Sequence, residues 1–315
     1  MAPSRSSIVL DENIQLFLER QPCLHGYPVR EARKALAEAQ SRAVATVPLR
    51  IDDVSLPAGS AGTLRVRIVR PFNGSAWFPV ILYFHGGCWV MGDFASHERF
   101  VRELAVGAQA AVVFVEYGLA PEAQFPVPVE QAYAALEGVV RHADALELDA
   151  SRIVVAGDCA GGTLAAAVTL MAKARRGPEI ACQLLLYPVL AEPKTGVETS
   201  SAGWLTPEQL RGRIDEAFPA GAARQEITAF PLNASILQLN DLPEAHVLVA
   251  EHDITRDDAE AYARRLTEAG VAVTCTRYIG AIHDFMMLDA LADSVLARSA
   301  MAQAVEAAHR ALYRP

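Results

Sequence analysis

A five-residue stretch, Gly157-Asp158-Cys159-Ala160-Gly161, constrains this chain more than any other. Before it runs Arg152-Ile153-Val154-Val155-Ala156, a short apolar segment of the kind that forms a buried strand. After it, Gly162-Thr163-Leu164-Ala165-Ala166-Ala167 opens a helix. So sharp a strand-to-helix turn leaves no room for side chains two positions either side of its apex, which is why glycine stands at 157 and 161. The apex residue is held in a strained conformation with its side chain at a helix N-terminus. The helix dipole there favours an anion, and a thiolate gains more from it than a neutral hydroxyl. The pattern is that of a nucleophile elbow, with cysteine at the usual position of serine.

The rest of the chain reads as the fold such a turn needs. Thr63-Leu64-Arg65-Val66-Arg67-Ile68-Val69 alternates apolar and polar residues, as a half-buried strand does. Val80 to Phe84, Ala111 to Val115, Ile153 to Ala156, Leu184 to Leu186 and Val247 to Ala250 are continuous apolar runs, expected of parallel strands buried on both faces. Val273 to Tyr278 is the last strand signal. Helical patterns such as Val129 to Leu136 and Ala259 to Leu266 lie between them. This alternation predicts an α/β fold, a mostly parallel sheet flanked by helices. Residues about 10–40 read as two helices, the first with Ile14, Phe17 and Leu18 at helical spacing. Residues 191–230 break the alternation with Pro193, Gly196, Gly203, Pro207 and Pro219, and read as an inserted lid. The expected division is cap helices at 1–45, core at 46–190, cap insertion at 191–230 and core again at 231–315. An alanine-rich helix is expected from Ala290 to Leu312.

Composition narrows the function. In 315 residues, 52% hydrophobic, there is ample material for one large domain. A net charge of -9 argues against nucleic acid and anionic membrane surfaces as partners. Cys23, Cys88, Cys159, Cys182 and Cys275 are odd in number and irregular in spacing, so neither a disulfide framework nor a zinc signature is read from them. A reducing cytoplasm is expected, with no secretory signal and no membrane span. No Gly-x-Gly-x-x-Gly, phosphate loop or spaced metal ligands are present, so no cofactor and no metal are expected.

A nucleophile at Cys159 needs a base, an orienting acid and an oxyanion hole. Asp253 follows the Val247 to Ala250 strand, and His283 follows the last strand signal, giving the order nucleophile, acid, histidine. His283 is expected to take the Cys159 proton or hold it as an ion pair, and Asp253 to fix the His283 tautomer. Asp257 is the competing acid, set aside because Asp253 directly follows the strand. The backbone N–H of Ala160 and those of the His85-Gly86-Gly87-Cys88 loop supply the expected oxyanion hole. Trp89, Tyr187, Trp204 and Phe218 are candidates to line the substrate pocket, with core packing as the equal alternative. Cys182 and Cys275 read as packing residues, Cys23 as incidental, and His252 as a surface or loop residue. His85 and His97 read as structural. A disulfide between Cys88 and Cys159 stays open, since geometry decides it.

With these residues in place, the chain resembles the hormone-sensitive-lipase-like family of bacterial carboxylesterases, within the α/β-hydrolase fold. The resemblance rests on His85-Gly86-Gly87-Cys88-Trp89-Val90-Met91-Gly92-Asp93, Glu116-Tyr117-Gly118-Leu119-Ala120-Pro121-Glu122, Gly157 to Gly162, Tyr187-Pro188, Asp253 to Asp258 and His283-Asp284-Phe285. It implies an eight-stranded sheet with a helical cap, hydrolysis of short-to-medium acyl esters without a cofactor, and Gly86, Gly87 and Ala160 as oxyanion donors. A homodimer is an expectation carried from relatives. Four residues depart from the family pattern: Cys159 for serine, Cys88 for a third loop glycine, Gly118 for arginine after the tyrosine, and Asp284 for glycine after the histidine. Asp284 either raises the His283 pKa or does nothing.

The thiol opens several readings. Beside an imidazolium and a helix N-terminus a thiol pKa falls to roughly 3.5–7.5, which predicts a thiolate–imidazolium pair at neutral pH. Acylation then gives a thioester, open to amine and thiol attack. A cysteine hydrolase, an acyltransferase or thioesterase-like enzyme, and an engineered Ser-to-Cys variant of a serine esterase all fit. A non-catalytic binding protein is the reading from another class; the presence of both Asp253 and His283 tells against it.

Overall fold

The computed structural model describes residues 8–21, 23–40, 48–57, 62–72, 77–193 and 202–314. Its centre is an eight-stranded sheet in the order β1-β2-β4-β3-β5-β6-β7-β8. The strands are β1 (Leu49–Pro57), β2 (Thr63–Pro71), β3 (Phe78–Phe84), β4 (Ala111–Glu116), β5 (Leu148–Asp158), β6 (Cys182–Leu186), β7 (Glu244–His252) and β8 (Val273–Ile282). β2 runs antiparallel to β1 and β4, and all other pairs are parallel. The continuous apolar runs are the central strands: every residue of β3 and β6 is buried. β1 carried no strand signal because it is a polar edge strand, Leu-Arg-Ile-Asp-Asp-Val-Ser-Leu-Pro, with Leu56 its one buried residue.

Helices α1 (Glu12–Arg20), α2 (Val29–Ala39), α3 (Phe94–Ala108), α4 (Val127–Arg141), α5 (Ala160–Arg175), α6 (Pro207–Ala217), α7 (Ile236–Leu239), α8 (Arg256–Glu268) and α9 (Val295–Tyr313) complete the chain. Alternate residues of each strand face opposite layers. Ile81 and Tyr83 join a core with α3 and α9, whereas Val80, Leu82 and Phe84 join one with α4, α5 and α8. The final helix starts at Val295 rather than near 290, because a short 3₁₀ turn, Asp289–Leu291, precedes it and Ser294 caps it.

α1, α2 and α6 contribute to the same core as α3. Phe17 of α1 packs on Trp204 with ring centroids 5.0 Å apart. α6 starts cleanly because Thr206 and Gln209 form a reciprocal capping box and Pro207 fits the first turn. Residues 194–201 of the expected cap insertion, Gly196 among them, lie outside the described residues. Among the described residues no helix is long and apolar enough to cross a membrane.

Two expectations fail at the right-hand end of the sheet. Cys275 is exposed rather than packed, because β8 is an edge strand whose first seven residues alternate between partial and full exposure. His252 is buried, not a surface residue: it ends β7, pairs with Ile282, and its Nε2 lies 3.0 Å from the Val9 carbonyl. Cys182 is buried in β6 as expected, and burial pushes its thiol up to about 12.

Candidate active site

Four strand ends converge at the carboxyl edge of the sheet. Cys159 follows β5, Asp253 follows β7, His283 follows β8, and the His85–Cys88 loop follows β3. Open parallel sheets place their sites there. At the turn Cys159 adopts φ 51°, ψ -118°, a region costly for any residue but glycine. The flanking glycines are a steric necessity. A Cβ on Gly161 would lie 1.9 Å from the Phe84 carbonyl oxygen, and one on Gly157 would lie 2.3 Å from Gly161.

His283 Nδ1 donates to Asp253 Oδ2 at 2.7 Å, and the Thr255 N–H donates to Asp253 Oδ1 at 2.9 Å. All of these groups are buried. Asp257 is elsewhere, on α8, exposed and paired with Arg256 at 2.7 Å. Asp284, undecided from sequence, is buried beside the histidine: its Oδ1 stands 3.4 Å from His283 Nε2, and Trp204 Nε1 donates to its Oδ2 at 3.1 Å. Its φ is 64°, where glycine is the easier residue. Cys159 Sγ lies within 4.8 Å of both the histidine nitrogen and the Asp284 oxygen.

The electrostatics differ from the expected ion pair. Burial pushes the Cys159 thiol well above its ordinary value, the adjacent Cys88 adds to this, and His283 opposes it. Burial pulls His283 down, but the carboxylates of Asp253 and Asp284 outweigh it and raise the imidazole well above 6.5. A helix N-terminus and one histidine do not offset full desolvation of a thiolate. No disulfide joins Cys159 and Cys88; their sulfurs are 3.6 Å apart.

In the loop after β3, Gly87 has φ 102°, and a Cβ there would lie 2.2 Å from the Met91 carbonyl oxygen. A Cβ on Gly86 would lie 2.1 Å from Asp158 Oδ2. Ala160 is the first residue of α5, so its N–H has no partner within the helix. Arg33 of α2 ties down the same region, donating to the Val90 carbonyl at 2.6 Å and the Ala120 carbonyl at 2.8 Å. It also pairs with Glu122 at 2.8 Å, which lowers that carboxyl to about 2. Gly118, the third departure, is crowded: a Cβ would lie 2.7 Å from that of Ala123.

A second buried network went unread in the sequence. Tyr83 Oη donates to Asp158 Oδ1 at 2.6 Å, and His97 Nε2 lies 3.5 Å from Asp158 Oδ2. Burial lowers His97, but the charge and hydrogen bond of Asp158, the Asp93 carbonyl and the Asp284 charge together outweigh this and raise it. The available signal was an acidic residue inside an otherwise apolar turn. His85 supports its loop as expected, stacked on Tyr117 with centroids 4.4 Å apart; burial first and His97 second lower it to about 4.

The four aromatic candidates divide into two groups, all buried. Trp89 and Phe218 meet edge-on at 4.9 Å and, with Phe125, Val129 and Leu164, line a narrow slot of about 10 Å³. Tyr187 packs against His283 at 5.2 Å, and Trp204 holds Asp284.

A strained cysteine at a strand-to-helix elbow, a carboxylate-oriented histidine and a glycine loop at one sheet edge are the arrangement of an α/β-hydrolase. The family profile described as the alpha/beta hydrolase fold matches residues 81–287. Carboxylesterase NlhH of Mycobacterium tuberculosis is 36% identical over 263 residues, covering 80% of this chain and 82% of its own. Ethyl acetate hydrolase of Pseudomonas putida is 34% identical over 282 residues, covering 85% and 86%. The crystal structure of a thermostable esterase from Pseudomonas putida ECU1011 superposes with a TM-score of 0.91 at 36% identity, covering 98% of this chain and 99% of that one. The chain therefore belongs to the α/β-hydrolase fold family. Within that family it is an enzyme of the carboxylesterase type.

Proposed function

We propose that this enzyme hydrolyses carboxylic esters of short to medium acyl chains through a thioester on Cys159. Neutral His283 takes the thiol proton at Nε2 as Sγ attacks the carbonyl carbon, and returns it to the departing alcohol. The N–H groups of Gly86, Gly87 and Ala160 hold the tetrahedral oxyanion. Water activated by the same imidazole then cleaves the thioester, releasing the acid and the thiol. The observation that carries this reading is the buried 2.7 Å Asp253–His283 pair, placed beside a strained Cys159. Trp89, Phe218, Tyr187 and Trp204 are assigned to the walls of the acyl or alcohol pocket. Helices α1, α2 and α6 serve as the cap, residues 1–45 and 191–230, over the core at 46–190 and 231–315.

The test compares this chain with Cys159→Ser on a p-nitrophenyl ester series, with mass spectrometry of the quenched enzyme. The expected result is an acyl adduct on Cys159 and measurable turnover by the parent. A serine variant faster by orders of magnitude means a site built for oxygen, in line with a misfit of about 1 Å costing on the order of a hundredfold. Turnover without any Cys159 adduct refutes the nucleophile assignment. Faster product release with added amines or thiols shifts the assignment from hydrolysis to acyl transfer.

A further inference from the structure

We propose that Cys159, His283 and Asp284 form a binding site for a thiophilic divalent cation, zinc by the character of its donors. The three residues come from the elbow after β5 and the turn after β8, so no local spacing betrays them. Folding nevertheless brings one sulfur, one nitrogen and one carboxylate oxygen within 4.8 Å of one another, all buried. His283 Nδ1 is engaged by Asp253, so Nε2 is the nitrogen that faces the cluster.

The nitrogen–oxygen spacing suits a tetrahedral ion, and the sulfur lies within 4.8 Å of both. Bond lengths of about 2.0–2.3 Å place ligand atoms roughly 3.3–3.8 Å apart. His283 Nε2 and Asp284 Oδ1 already stand 3.4 Å apart. The supporting contacts are in place as well. A metal-bound imidazole typically donates its other N–H to a carboxylate, as His283 does to Asp253 at 2.7 Å. A ligating carboxylate is in turn held by a donor, as Trp204 holds Asp284 Oδ2 at 3.1 Å and leaves Oδ1 facing the histidine. Thiolate, imidazole and carboxylate together favour zinc over magnesium or calcium. Three protein ligands leave the fourth position for water.

Charge points the same way. Two carboxylates flank one imidazole on its two nitrogens in a site closed to solvent. Buried charge in excess of its partners is costly, and a divalent cation offsets it. On binding, the Cys159 S–H bond breaks, a sulfur–metal bond forms, and the proton leaves to solvent, with the Nε2 proton following where the imidazole is charged. Occupancy removes both the nucleophile and the base, so the bound cation is an inhibitor; this consequence rests on the assignment of Cys159 as nucleophile, whereas the binding does not.

The test uses the full chain freed of metal by chelation and titrated with Co²⁺ alone as an optical probe. The expected result is a near-ultraviolet thiolate-to-cobalt charge-transfer band that saturates at one equivalent and is displaced by Zn²⁺. Cys159→Ser should abolish the band although Cys23, Cys88, Cys182 and Cys275 remain. Asp284→Gly should weaken binding at least about tenfold, the scale of losing one supporting or ligating group. Glycine adopts φ 64° freely, so this variant keeps the fold, and Cys275→Ser controls for the exposed thiol. No band, a band lost in Cys275→Ser, or a band unchanged in both site variants overturns the proposal. Zn²⁺ should abolish ester hydrolysis over the range in which it displaces Co²⁺, with recovery on chelation. A band with unaffected hydrolysis keeps the metal site and refutes the inhibition. A band in a protein without any hydrolysis keeps the metal site and refutes the function proposed above.

Discussion

Replacing Gly161 by alanine tests the elbow most directly. The added Cβ would lie 1.9 Å from the Phe84 carbonyl oxygen, 2.5 Å from the Phe84 carbonyl carbon and 2.6 Å from the His85 carbonyl oxygen. All three neighbours are backbone atoms of β3 and the oxyanion loop, so no side chain can swing aside. Non-bonded carbon contacts sit near 3.5 Å, which requires the turn and the loop to separate by about 1.6 Å. That displacement acts between Cys159 and the Gly86–Gly87 amides, the two halves of the proposed acyl site. A misplacement of about 1 Å costs on the order of a hundredfold in rate. Overpacking of this kind also costs about 1–3 kcal/mol of stability. The expected outcome is therefore a fall in kcat/KM of at least about a hundredfold, with a lower melting temperature but a retained near-ultraviolet circular dichroism spectrum. Gly212→Ala is the comparator: apart from its chain neighbours and the backbone of its own helix, no atom lies within 4 Å of its Cβ position, and alanine in α6 should leave stability equal or raised by up to about 1 kcal/mol. If Gly161→Ala matches the parent in both rate and melting temperature, the steric account of the elbow is wrong.

Two further outcomes follow from the site. His283 accepts a proton only when neutral, and its pKa lies above 6.5, so kcat/KM should be low at pH 6 and rise above neutrality; full activity at pH 6 would instead mean a resting thiolate–imidazolium pair. Asp253→Asn should lower kcat by about 10³–10⁴-fold and move the rise in activity to lower pH, because a carboxylate that raises His283 is gone, whereas Asp257→Asn, in an exposed pair, should stay within about twofold; steady-state kinetics across pH on both variants checks this.

Much of this was legible because it depends on local pattern. The runs Val80 to Phe84 and Val247 to Ala250 are apolar on both faces, which only a central parallel strand tolerates, and both are central strands. Gly157 and Gly161 were legible because a Cβ at either would strike backbone. β1 was not, because an edge strand needs only partial burial and shows almost none in its composition. Cys275 misled for the same reason: a β-rich run says strand, not which strand is the edge. The Asp158–Tyr83–His97 network and the 3.4 Å approach of Asp284 to His283 arise from contacts between distant segments, and no periodicity reports those. The thiol pKa was misjudged because the sequence displays the helix and the histidine but hides the depth of burial, and burial is the larger effect.

That last point bears on what sulfur does here. Desolvation, the neighbouring Cys88 thiol and the flanking carboxylates all disfavour a resting Cys159 thiolate, while His283 and the start of α5 favour one. Burial is the largest of these effects, so the proposed mechanism starts from a protonated thiol. In that mechanism attack moves the proton to His283 as the carbon–sulfur bond forms, and the proposed oxyanion donors receive the charge only as it develops. On that proposal cysteine works under the constraints of a hydroxyl, and the base and the oxyanion hole, rather than the thiolate fraction, are expected to limit the rate. A pocket that resists a bare thiolate still accepts one neutralised by a cation. The features that hold back the free nucleophile are thus the ones that would hold a zinc ion between Cys159, His283 and Asp284.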